Sequence, residues 1–211
     1  MYKVSVHLDN VSKRYTREWI LKNISFEFNN DNSYAVIGPN GSGKSTLIEL
    51  ISTYLTPTEG SISYVVDGQS IPTEKAHNYL SFCSPSLSLI EEMNLKEMLR
   101  FHFRFKNTLA GIDVTEIAAQ LPFDSRTMIR NYSSGMKQRL KIVLAIFSQS
   151  AVLLLDEPTT NLDEQGFKWF ENLLRTKLNN RLLLMSSNLQ REIDLCSQRI
   201  SILDYKKVKA I

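Results

Sequence analysis

The run Gly38-Pro39-Asn40-Gly41-Ser42-Gly43-Lys44-Ser45 constrains this chain more than any other feature. It fits G-x-x-x-x-G-K-[ST] at each fixed position, follows the short apolar run Tyr34-Ala35-Val36-Ile37 and leads into a helical LIELIST. Strand, glycine-rich turn and helix, in that order, are the context this motif needs to act as a phosphate cradle. Glycines let the backbone take positive φ and turn successive N–H groups onto phosphate oxygens. The helix that begins at the end of the run adds its positive terminus. Residues 38–46, including Pro39, Asn40, Ser42 and Thr46, are therefore candidates to line a triphosphate site. Lys44 is placed to reach the β- and γ-phosphates and Ser45 to offer its hydroxyl to Mg²⁺.

The rest of the chain supports a helix-covered, mostly parallel sheet. Val4, Val6 and Leu8 alternate with Ser5 and His7 in a half-buried strand, and a second runs from about 21 to 28 before the turn residues Asn29-Asn30-Asp31-Asn32. Another strand is predicted at 61–67. From about 86 to 121 the pattern turns helical, with Leu95, Met98, Leu99 and His102 on one face at spacings of three and four. Beyond it come a helix at 134–148, a strand at 152–155, a helix at 167–178, a strand at 182–185, a helix around Glu192 and a strand at 200–203. Such alternation builds a parallel sheet with helices on its faces.

Val152-Leu153-Leu154-Leu155 ends in Asp156-Glu157. A wholly apolar strand belongs in the middle of a sheet, and ligands sit at the carboxyl ends of such strands. Asp156 there is a candidate Mg²⁺ ligand, direct or through water. Glu157 is a candidate base that orients and deprotonates an attacking water.

Bulk properties exclude several classes. With 211 residues, 43% apolar and 22% charged, the chain suits one domain with a substantial core rather than a disordered or fibrous protein. Cys83 and Cys196 lack metal-ligand spacing and read as thiols of a reducing compartment. The N-terminal MYKVSVHLDN has no apolar signal core, and no apolar run is long enough to span a bilayer. Any work at a membrane therefore goes through a partner. The net charge of +3 is spread along the chain and predicts neither nucleic-acid nor lipid binding. Lys206, Lys207 and Lys209 read as a solvated tail.

The phosphate loop alone leaves kinases, GTPases and helicases open. The remaining motifs narrow the choice. Tyr132-Ser133-Ser134-Gly135-Met136-Lys137-Gln138-Arg139 opens a helix shortly before the metal strand and resembles the ABC signature, LSGGQ followed by x-Q-R. Pro158-Thr159-Thr160-Asn161-Leu162-Asp163 after that strand is similar to the D-loop of the same family. Over nearly its whole length the chain resembles an ABC ATPase, most of all the compact ATP-binding subunits encoded apart from their membrane subunits. The resemblance implies a single domain over 1–211: a P-loop NTPase of ABC type with a mostly parallel central sheet, an N-terminal antiparallel β subdomain and a helical subdomain inserted at about 86–132. It implies ATP hydrolysis that energises transport, with Mg²⁺ as cofactor. Two subunits, in a homodimer, would pack head to tail and hold each ATP between one phosphate loop and the other's signature. Ser133 and Gly135 would then meet the partner's γ-phosphate, and Tyr15, with Trp19 as local competitor, would stack on adenine.

The resemblance also implies an integral membrane permease as partner, and a cytoplasmic place on the inner face of the cell membrane. Leu87, Leu89, Ile90, Met93, Phe101, Phe103 and Phe105 are candidates to pack in the helical lobe or to receive that partner. Relatives acting on DNA or ribosomes usually carry tandem cassettes or coiled-coil insertions, which this chain lacks, so no nucleic acid is expected.

Three departures bear on turnover. Pro85 stands where the family has a glutamine that touches Mg²⁺, and it has no side-chain donor or acceptor. Asn188 stands at the switch histidine; it can still hydrogen-bond a γ-phosphate or water but cannot become cationic. Ser134 and Met136 replace a glycine and a glutamine of the signature. With Glu157 in place, a slow ATPase is expected. The alternative is an ATP-gated assembly module that hydrolyses little.

Overall fold

Val4, Val6 and Leu8 begin β1 (Val4–Tyr15), which pairs antiparallel with β2 (Glu18–Asn29). The computed structural model describes residues 2–109, 111–124 and 126–205. Both strands outrun their predicted lengths. The pairing is irregular between Leu8 and Val11, where Asn10 takes φ 50°. A bulge resets which face each residue presents, so strict alternation stops at Leu8 although the strand continues to Tyr15.

β4 (Glu59–Val66) pairs antiparallel with β1 and with β5 (Gln69–Ile71), giving a sheet ordered β2-β1-β4-β5. A second sheet holds β3 (Ser33–Ile37), β6 (Leu80–Cys83), β7 (Val152–Asp156), β8 (Leu182–Ser187) and β9 (Gln198–Ser201), in the order β6-β7-β8-β3-β9. In it β3 runs parallel to both β8 and β9, and β7 runs parallel to β8. The strand expected at 200–203 is thus β9, followed by a 3-10 turn over Ile202–Tyr205.

The chain divides into two compact units, residues 2–82, 151–157 and 180–205 in the first and 83–150 with 158–179 in the second. In the first, α1 (Lys44–Ile51) buries Leu47, Ile48, Leu50 and Ile51 in one cluster with Val6, Val11, Leu21 and Phe28 of the antiparallel sheet and Leu154 and Leu184 of the parallel one. Each such side chain taken out of water contributes roughly 1.5–3 kcal/mol. α2 (Thr73–Ala76) and α7 (Gln190–Ile193) are short.

In the second unit, the stretch over 86–121 whose pattern turns helical contains two helices. α3 (Leu95–His102) starts at an Asn94–Glu97 capping box, and α4 (Val114–Ala118) at Asp113, whose carboxylate accepts from Thr115 N–H. Asn94 and Asp113 take extended backbone, and Gly111 has φ 79°, so the helical period cannot pass through them. Leu95, Met98 and Leu99 are buried as their spacing predicts. α5 (Ser134–Phe147) packs on α6 (Glu164–Lys177), which begins before Phe167 because the Asp163 carboxylate caps Gly166 N–H at 2.7 Å. Cys83 is buried and Cys196 half-buried, neither in a disulfide among the described residues, and burial pushes the Cys196 thiol up to about 12. Lys206, Lys207 and Lys209 lie outside the described residues. Among the described residues no helix is long and apolar enough to cross a membrane.

Candidate functional site

The parallel register sets Ile37 beside Ser187, and Ser186 beside Asp156, so β3, β8 and β7 end level with one another. The phosphate loop leaves β3 at this edge and enters α1 at Lys44, with Gly43 as N-cap at φ 105°. A Cβ on Gly43 would lie 2.9 Å from Ile20 Cγ2, and one on Gly38 would lie 2.6 Å from Ile202 Cγ2. Larger residues would force the loop open.

Lys44 is buried, and its Nζ donates to Gly38 O at 3.0 Å and Pro39 O at 3.3 Å. The same amine lies 3.8 Å from Glu157 Oε1. Glu157 takes φ 43°, a left-handed backbone that a non-glycine residue holds at a cost of about 1–3 kcal/mol. Its N–H donates to Ser186 O at 3.0 Å, which fixes the turn off β7. Ser45 Oγ donates to Asp156 Oδ1 at 3.0 Å. Because that bond uses the hydroxyl proton, the oxygen's lone pairs remain available to a cation. Ser42 Oγ is buried within the loop and has no hydrogen-bond partner among the described residues.

These groups open onto a cleft of about 300 Å³ lined by Tyr15, Asn40, Gly41, Gly43, Lys44, Ser45, Thr46 and Glu157, with Ile20. The two aromatic candidates separate here. Tyr15 lines the cleft; Trp19 is instead covered by Lys22 Nζ, 3.7 Å from its ring centroid, and Arg14 Cζ at 5.1 Å. Burial, then the Glu49 charge, raise the Tyr15 phenol pKa against a lowering hydrogen bond with Thr46. The Glu49 carboxyl is itself raised, by burial first and by Asp156 second.

Asn188 leaves β8 next to the loop, and its Nδ2 donates to Asn40 Oδ1. Pro85 holds no polar side chain, but its carbonyl accepts from Lys141 Nζ at 2.7 Å. Two residues were not singled out from the sequence. Ser186 Oγ donates to Asp156 Oδ1, and Ser187 Oγ donates to the buried Glu192 Oε2. Their signal was legible in principle: adjacent hydroxyls end the otherwise apolar run of β8.

In the second unit, Ser133 caps α5, its Oγ accepting from Met136 N–H at 3.2 Å. That leaves the hydroxyl proton to donate outward. Ser133, Ser134, Gly135, Met136 and Arg139 border a cleft of about 340 Å³ together with Asn161, Leu162 and Asp163. A Cβ on Gly135 would lie 3.0 Å from Asn161 O, so the D-loop backbone sits tight against this turn. Gln138 Nε2 donates to Pro158 O at 2.8 Å, and Arg139 lies 3.6 Å from Asp163 Oδ1. Of the candidate partner-facing aromatics, Phe101 and Phe105 are exposed and stack edge to face at 5.3 Å.

The model for ABC transporters matches residues 21–160. This chain belongs to the ABC transporter family. As an ABC ATP-binding protein it is 32% identical over 197 residues to an uncharacterized ABC transporter ATP-binding protein of Bacillus subtilis, spanning 89% of this chain and 87% of that one. A solved structure of a putative ABC transporter ATP-binding protein from Pyrococcus furiosus superposes with a TM-score of 0.80 at 21% identity, over 96% of this chain and all, 100%, of the other. A dimeric ATP-binding cassette in a post-hydrolysis state, bound to ADP and Pi, gives a TM-score of 0.79 at 21% identity over 93% of each chain. The fold is that of an α/β P-loop ABC ATPase.

The donor set also fits the family's cation. Ser45 and Asp156 offer only hydroxyl and carboxylate oxygens, the ligands a hard ion such as Mg²⁺ prefers.

Proposed function

We propose that this ABC protein binds and hydrolyses ATP, and that it energises transport through a separately encoded integral membrane permease on the cytoplasmic side. One observation carries the reading: a buried lysine, the Glu157 carboxylate and a serine hydroxyl bonded to Asp156 converge on one cleft whose floor is a glycine-rich turn. Lys44 would exchange its carbonyl partners Gly38 and Pro39 for the β- and γ-phosphate oxygens. Ser45 and Asp156 would hold Mg²⁺, which supplies charge neutralisation along the phosphates. Glu157, freed from Lys44, would take a proton from the attacking water as its oxygen bonds to the γ-phosphorus and the bond from that phosphorus to the β–γ bridging oxygen breaks, leaving ADP and phosphate. Tyr15 would stack on the base. Ser133 and Gly135 would face the γ-phosphate of a second, head-to-tail subunit, the α5 terminus and the free Ser133 proton offering donors to it.

Asn188 makes this a slow enzyme. It contributes hydrogen bonds but no cation at the switch position, and Pro85 contributes no side chain to the metal. The module reading, ATP-gated assembly with little hydrolysis, draws on the same two residues, and turnover separates the two readings. Purified protein with Mg·ATP is expected to release phosphate, and Glu157→Gln to lower the rate at least 10²-fold while still binding nucleotide. Lys44→Ala should abolish saturable binding. Equal phosphate release by wild type and Glu157→Gln would remove Glu157 as base.

A further inference from the structure

Asn188 and Asn40 come from different strands and meet only because β8 and β3 are adjacent and in register, Ile37 beside Ser187. The next residues leave the sheet together, and the Asn188 amide N–H closes onto the Asn40 side-chain carbonyl. Asn40 lines the cleft beside Lys44, on a loop whose lysine is likewise occupied by its own carbonyls. Both asparagines are otherwise exposed. Water could serve either amide equally well, so the contact ties the switch segment to the phosphate loop rather than satisfying a buried group.

We propose that the Asn40–Asn188 pair is a ligand-free latch, in which Asn40 holds the Asn188 amide until a γ-phosphate replaces it as acceptor. The inference rests on the nucleotide reading above and adds to it how ATP is told from ADP. An anionic phosphate oxygen is a stronger acceptor than a neutral amide carbonyl, so the exchange is favourable only when a third phosphate reaches Asn188. A diphosphate leaves the latch closed. Neither amide titrates, so the discrimination carries no proton, unlike one made by an imidazole. Asn188 donates to the ligand in this scheme; Asn40 acts through Asn188 and is a positioning residue.

A double-mutant cycle on nucleotide affinity tests the latch, with Mg·ATP and Mg·ADP titrated calorimetrically in a Glu157→Gln background that prevents turnover. Asn40→Ala removes the competing acceptor and is expected to tighten ATP about three- to tenfold while leaving ADP within about twofold, the range of one net hydrogen bond. Asn188→Ala should weaken ATP by a similar factor, again sparing ADP. The decisive measurement is the double variant: the gain from Asn40→Ala should vanish when Asn188 is absent. A gain that persists in the Asn188→Ala background, or single variants that shift ATP and ADP alike, overturns the latch. Both results leave the nucleotide site standing. Failure of the parent protein to bind either nucleotide would overturn latch and nucleotide reading together. Near-ultraviolet circular dichroism on each variant separates loss of fold from loss of the contact.

Discussion

Ser186 on β8 and Ser45 on α1 donate to the same oxygen, Oδ1 of Asp156, the second at 3.0 Å. Asp156 is buried, so its carboxylate is oriented by these hydroxyls rather than by solvent. Removing Ser186 Oγ leaves the carboxylate with one fewer donor and freer to rotate. Ser186→Ala should raise the Mg²⁺ concentration for half-maximal Mg-dependent nucleotide binding about three- to tenfold, equivalent to one net hydrogen bond of about 1 kcal/mol. Nucleotide binding in excess EDTA should stay unchanged, and Ser186→Thr should restore the metal dependence. An unaltered Mg²⁺ midpoint in Ser186→Ala would show that Asp156 is held without it.

Tyr15 and Trp19 sit four residues apart, yet only Tyr15 borders the cleft, while Trp19 is covered by Lys22 and Arg14. Tyr15→Ala should weaken ATP roughly tenfold, the scale of one aromatic contact with a base. Tyr15→Phe should retain most of the affinity, because stacking on the base would use the ring rather than the hydroxyl. Trp19→Ala should leave the dissociation constant within about twofold. The reverse ranking of the two alanine variants in an equilibrium titration would reassign the stacking residue.

How much of this was legible beforehand follows from the range of each signal. The phosphate loop, Asp156 and Glu157 were readable because their chemistry is written in contiguous residues at strand ends; loop residues and Glu157 line one cleft, and Asp156 bonds to Ser45 at its edge. Ser186 was missed because its role depends on a lateral partner, Asp156, which only strand order supplies. Sequence gives the strands but not which strands neighbour each other. Within 86–121 the helical pattern left the breaks unplaced: apolar spacing marks a face, whereas Asn94 and Asp113, whose side chains cap helices, mark where each helix begins. At Tyr15 the strand was under-read because a bulge near Asn10 breaks alternation without ending the pairing.

His102 ends α3 with its Nε2 2.9 Å from Ser148 Oγ, while that hydroxyl donates to Leu144 O at 2.7 Å. The imidazole is therefore the donor in this pair. Burial first and the charge of Lys106 second lower its pKa to about 4, from 6.5. A histidine depressed in the folded state binds its proton earlier when unfolded. Its contribution is complete above pH 6.5 and is lost as the pH falls toward 4. The drop should approach about 1.4 kcal/mol per pH unit within that window, or roughly 3 kcal/mol across it. Urea midpoints taken at several pH values should show this slope in the wild type and a flatter one in His102→Gln, whose amide can still donate to Ser148. Parallel slopes in the two proteins would place the acid sensitivity elsewhere.

Lys141 Nζ reaches from α5 to Pro85 O at 2.7 Å and Ser84 O at 3.4 Å. Burial lowers the pKa of this amine, because partial removal from water disfavours the charged ammonium. Pro85 itself offers no side-chain bond, so its backbone carbonyl is what Lys141 engages here. Locally, Leu87 N–H donates to Ser84 O at 3.2 Å and Ser86 N–H to Ser84 Oγ at 3.3 Å, bonds that share this anchor. Lys141→Met keeps the apolar stem and deletes the donor. Hydrogen exchange at Ser86 and Leu87 should then quicken about five- to tenfold, the equivalent of roughly 1 kcal/mol of lost local protection. Lys141→Arg should hold the segment close to its original rate. Because the segment opens locally, the global melting temperature should move by no more than a few degrees in Lys141→Met. Exchange that is unchanged at both amides would mean that the turn over 84–87 is maintained by its own backbone, with no anchoring by α5.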